Sequence, residues 1–79
     1  MHLYQTSDLG LASALCCLGY TIVALDRHEP RRVVFCFERD AEGLDKAIRG
    51  FWDGGLQLPP IALFTHQKLL KKRIYDEHP

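Results

Sequence analysis

The chain has 79 residues, ten Lys+Arg against ten Asp+Glu, and 47% apolar against 25% charged residues. That balance excludes the low-hydrophobicity, high-charge pattern of a disordered chain, and the length holds one small core rather than two. A formal net charge of zero excludes a strongly basic nucleic-acid module and an acidic tail protein at the level of the whole chain.

A first helix is expected to start at Thr6 or Ser7, whose hydroxyl can cap orphan backbone N–H groups, with Asp8 in the first turn at the positive end of the helix dipole. Gly19 is placed to end it in a left-handed conformation. Leu9, Leu11, Ala12, Leu15, Cys16 and Leu18 cover one side of this helix. Gly10, Ser13, Ala14 and Cys17 form a stripe of small residues on the other, either a weakly polar solvent face or the seat of a close-packed partner helix.

Residues 20–25 and 32–37 are rich in β-branched and aromatic side chains and read as strands joined by the polar stretch 26–31. So short a connection makes them antiparallel. Alternation puts Val33, Phe35 and Phe37 on the core face, and Val34, Cys36 and Glu38 on the other. A lone hairpin is marginal, so residues 2–5 are a candidate short third strand.

The second helix is expected after Asp40 as its cap, with Leu44, Ala47, Ile48 and Phe51 at i, i+3, i+4, i+7 and Gly54-Gly55 as the stop. Its outer face pairs Glu42 with Lys46 and Asp45 with Arg49, and Trp52 lies at the stripe's edge. Residues 56–59 are extended ahead of the prolines, and Pro60 suits the first turn of a third helix reaching Tyr75. Its inward side collects Leu63, Phe64, Gln67, Leu70 and Ile74; its outer side holds Lys68, Lys71, Lys72 and Arg73. The expectation is a single α+β domain over 1–75, helix–β-hairpin–helix–helix, with helices packed on one face of a small antiparallel sheet and a frayed tail over 76–79.

With the elements placed, Thr6-x-Asp8-Leu9-x-Leu11-Ala12-x-x-Leu15, Gly19, Arg32-Val33-Val34-Phe35-x-Phe37-Glu38, Phe64, Leu70-Lys71 and Ile74 stand in an order that resembles a family of short bacterial and phage proteins known only as a domain of unknown function. The likeness runs from Tyr4 to Tyr75. It implies a small α+β domain of bacterial or viral origin and brings no activity, cofactor or catalytic residue with it. Thr6, Asp8 and Arg32 are the members of the pattern without an evident core role, although Thr6 and Asp8 already serve a helix start.

No apolar run reaches the length of a membrane span, and residues 1–5 lack the charged and apolar regions of a secretory leader, so a cytoplasmic protein is expected. The three cysteines, Cys16, Cys17 and Cys36, suit a reducing compartment, because adjacent Cys16 and Cys17 cannot bridge each other without distortion.

His2, His28, His66, His78 and the cysteines show no metal-ligand spacing; no metal or other cofactor is expected. No phosphate loop, paired carboxylates or nucleophile–base motif is present, so neither an enzyme nor a small-molecule substrate is expected. Two surfaces remain. Residues 1–59 carry six Lys+Arg against eight Asp+Glu, whereas residues 60–79 carry four against two. Arg27, Arg31 and Arg32 of the hairpin and Lys68, Lys71, Lys72 and Arg73 of the third helix would make a nucleic-acid patch if the two segments lie together. Trp52, Leu56, Leu58, Ile61, Leu69 and Tyr75 are apolar residues that the helix stripes leave unplaced. They make a protein contact, with a partner or with a second copy, the leading expectation.

Overall fold

In the computed structural model, which describes residues 2–29 and 31–76, the order is β1 (Leu3–Thr6), α1 (Leu9–Cys17), β2 (Ile22–Glu29), β3 (Arg32–Glu38), α2 (Leu44–Asp53) and α3 (Pro60–Asp76). The α+β class and the antiparallel sheet are as expected. The candidate third strand is present: β3 is central, with β1 and β2 antiparallel on either side of it. The shortest dimension of the molecule, 18 Å, suits one sheet layer and one helix layer.

Several boundaries move, each because a neighbouring group satisfies the backbone better. Thr6 does not open α1; it closes β1, paired with Phe35. Asp8 is the N-cap instead, its backbone extended and its carboxylate accepting from the Leu11 N–H at 2.9 Å. A carboxylate there also meets the helix dipole. The Thr6 hydroxyl accepts from the Asp8 N–H at 3.1 Å. At the other end Gly19 has φ +98°, its N–H reaching the Cys16 carbonyl and the Tyr20 N–H that of Leu15, a Schellman closure.

The stretch 26–31 is not a six-residue tip. β2 continues to Glu29, which pairs with Arg32, and irregularities after Ile22 and after Asp26 keep the two strands in step. Pro30, the end of the tail (77–79) and the candidate ligand His78 lie outside the described residues; Asp76 belongs to α3 rather than to a tail. Asp40 does not cap α2. Gly43 does so, left-handed at φ +80° and without a side-chain bond, after a turn in which the Leu44 N–H donates to the Ala41 carbonyl.

The core joins Phe35 and Phe37 of β3 to Leu11, Ala12 and Leu15 of α1, Ile22 of β2, Leu44 and Ala47 of α2 and Leu70 of α3, with Val33 only half-buried at its margin. Cys36 points the opposite way from both phenylalanines. It is nonetheless buried, because its flanking partners Gln5 and Ala24 close over a small side chain on the central strand. The expectation of a one-sided α1 fails: five consecutive residues, Leu11 to Leu15, are fully buried. α1 is the central helix, packed against both α2 and α3. The small residues allow this. A Cβ on Gly10 would already stand 3.5 Å from the Phe51 ring of α2. Ser13 returns its hydroxyl to the Leu9 carbonyl at 2.7 Å, so its burial strands no donor. The small stripe is thus a helix seat within the chain.

Candidate functional site

Nucleophilic catalysis would need a nucleophile, a base and a recess, and a hollow of about 330 Å³ where α1, β2 and α3 meet is lined in part by Cys16, His66 and Arg73. Burial pushes the Cys16 thiol above its ordinary pKa; the neighbouring Cys17 adds to the rise and Arg73 opposes it. Burial raises Cys17 as well. Both are held as thiols, the form that is a poor nucleophile. None of the three cysteines is bridged; Cys16 and Cys17 are partly exposed and Cys36 is buried. Among the described residues no three His, Cys, Asp or Glu side chains gather as a metal site.

The seven cations named as a nucleic-acid patch separate into three groups. Arg27 leaves the surface set: its guanidinium donates to the carbonyls of Ile74 at 2.6 Å and Arg73 at 3.4 Å, closing the C-terminal end of α3. Arg73 is half-buried beside Cys16 and engaged there rather than on the outer face. Arg31 and Arg32 are exposed and line a groove of about 450 Å³ with Ser7, Leu9, Val33, Phe35 and Ile74. The hairpin therefore does lie against the end of α3. Lys68, Lys71 and Lys72 are exposed along the outside of that helix.

The apolar candidates divide as well. Leu56 folds back on α2, its N–H donating to the Gly50 carbonyl at 3.1 Å, and with Leu58 it is half-buried. Trp52, Leu69 and Tyr75 are exposed, at 60%, 55% and 77%. The Trp52 ring stands edge-on to Phe51, with centroids 4.9 Å apart.

Two further residues belong with them. Ile61 is 81% exposed, and Phe64, which periodicity assigned to the inside, is 57% exposed. His66 takes the inward place that Phe64 was given. The correction follows from how α3 packs. It lies along α1, and its buried side centres on Leu70, flanked by Leu63 and Ile74. At about 100° per residue, Phe64 falls roughly 120° from Leu70, whereas His66 falls only about 40° away.

The same arithmetic assembles the outer face. Ile61, Phe64, Lys68, Lys71, Lys72 and Tyr75 occupy an arc of about 100° opposite Leu63, Leu70 and Ile74, with Leu69 on its flank. A helix that serves only its own core is polar on the side away from it. α3 is apolar on both sides. Its outer side interleaves aliphatic and aromatic groups with three ammonium groups, and no Asp or Glu occurs from residue 60 to 75. Among the described residues, the outer face of α3 holds four of the exposed large apolar side chains, Ile61, Phe64, Leu69 and Tyr75, more than any other element.

The sequence pattern of a Domain of unknown function (DUF5659) matches residues 1–76. The chain belongs to that family. Its match takes in every element from β1 to α3, so the outer face of α3 lies within the DUF5659 domain. No curated protein and no solved structure matches the chain. Among the described residues no helix is long and apolar enough to cross a membrane.

Proposed function

We propose that the protein is a small non-enzymatic interaction domain, of bacterial or phage origin and working in the cytoplasm, that docks another protein on the outer face of α3. One observation carries this reading. Ile61, Phe64, Leu69 and Tyr75 stay exposed on a helix whose opposite side already completes the core. Exposed apolar groups gathered on one face together with charge mark contact surfaces. The burial that raises the Cys16 and Cys17 thiols counts against a cysteine nucleophile. The sequence's resemblance to short bacterial and phage proteins supports the origin, and three cysteines without a pairing pattern support the compartment.

The test is site-specific photo-crosslinking in cells, with a photoreactive phenylalanine analogue at Phe64 and, as control, at exposed Thr21. The reading expects discrete protease-sensitive adducts from position 64 and none from 21. Nuclease-sensitive adducts would favour the nucleic-acid alternative built on Arg31, Arg32, Lys68, Lys71 and Lys72. No adduct from position 64 would overturn the docking reading.

A further inference from the structure

We infer that the occupant of this face is an acidic amphipathic helix of a different protein, with aliphatic side chains set between carboxylates; the inference rests on the docking reading and narrows it. Three features lead there. First, the groups that any occupant must meet are Lys68, Lys71 and Lys72 together with Ile61, Phe64 and Tyr75, in one arc of about 100°. Carboxylates at i, i+3 and i+4 spacing on a partner helix can reach those ammonium groups while aliphatic side chains cover the apolar ones.

Second, among the described residues no helix of the chain offers such a surface. Two α3 helices face to face would set three ammonium groups against three, which complementary interfaces avoid. The exposed acids of α2 and the turn before it, Glu42, Asp45 and Asp53, alternate with Lys46 and Arg49. They offer no continuous acidic strip. A one-way contact of α3 with the α2 of the next copy would also be heterologous, building a ring or an open chain.

Third, the aliphatic groups argue against nucleic acid. Ile61 and Leu69 present no ring for a base to stack on, and they would sit unused against a phosphate backbone. From Ile61 to Tyr75 the face is about 21 Å long and 10–12 Å wide. That is well below the ~800 Å² per partner of a standard interface. The expected complex is therefore micromolar, reversible, and sensitive to salt.

The test is selection of random 16-residue displayed peptides on the full-length chain, followed by affinity measurement of the enriched sequences at 0.1 and 0.5 M salt. Enriched peptides should be net acidic with aliphatic residues at helical spacing, and their affinity should fall at least tenfold at the higher salt. They should lose tenfold or more with the triple variant Lys68→Gln, Lys71→Gln, Lys72→Gln, which keeps good helix formers in place. The corresponding Lys→Glu variant, checked for fold by circular dichroism, should enrich basic peptides instead. Neutral or basic peptides on the natural chain, no enrichment at all, or acidic peptides indifferent to both variants would overturn the inference. So would tighter binding of a random single-stranded oligonucleotide through the same lysines, or mass growth with concentration in the absence of peptide. Protein adducts from position 64 alongside non-acidic peptides would leave the docking reading standing and remove this one alone.

Discussion

Gly43 turns the chain into α2 at φ +80°, and a Cβ placed there would stand 2.9 Å from the Tyr20 hydroxyl, which itself donates to the Glu42 carbonyl at 2.7 Å. Gly19 is left-handed too, at φ +98°, but opens onto free space. Gly19→Ala should therefore cost about 1–2 kcal/mol, the backbone strain alone. Gly43→Ala should cost measurably more, because it adds the clash and disturbs the Tyr20 bond. Urea unfolding of the two variants side by side checks the ranking, and equal losses would contradict it.

The Cys16 thiol supplies a second expectation at this scale. Its folded pKa is raised, so the folded state holds that proton more tightly than the unfolded chain does. The contribution is whole below the unfolded value and is lost as pH climbs through the folded one. Stability should therefore decline in the alkaline range above about pH 8.5, and Cys16→Ala should flatten that decline. A decline of equal steepness in the variant would show that Cys16 is not its source.

At the scale of elements, α3 is held at its far end by β2. Arg27 donates to the Ile74 and Arg73 carbonyls, a cation placed on the negative end of a helix dipole. Arg27→Ala should free those carbonyls and cost about 1 kcal/mol, with amide exchange rising first in the last turn of α3. Exchange that rises evenly along the chain would contradict a local cap.

Element by element, what the sequence revealed was what periodicity and end signals encode. The stripe of Leu44, Ala47, Ile48 and Phe51 sits on the side of α2 that faces the core, and Gly19 and Gly54 end their helices as glycines do. What it concealed was settled by partners far away in the chain. Thr6 reads as a helix cap until β3 claims its backbone. Residues 26–29 read as a turn until β3 extends beside them. Phe64 reads as core until α3 is seen to lie along α1, which puts His66 on the buried side. The same rotation brought the outer face of α3 together. Ile61, Leu69 and Tyr75 were visible in the sequence as unplaced apolar residues, but Phe64, hidden by its good fit to a helical stripe, was not.

For the molecule as a whole, a flat body 18 Å thick places α1 centrally, flanked by α2 and α3, and closes its core without calling on the outside of α3. Seven cations that looked like one surface are put to different uses: Arg27 and Arg73 serve the fold, Arg31 and Arg32 border a groove, and only the three lysines join the exposed apolar groups. Those apolar groups carry no weight in folding if this account is right. The direct measurement is denaturant unfolding of the triple variant Ile61→Gln, Phe64→Gln, Tyr75→Gln beside the natural chain. The account predicts stability within ~0.5 kcal/mol of the natural chain, as for ordinary surface substitutions. A loss of about 2 kcal/mol or more would mean that these side chains belong to the core, and would contradict it.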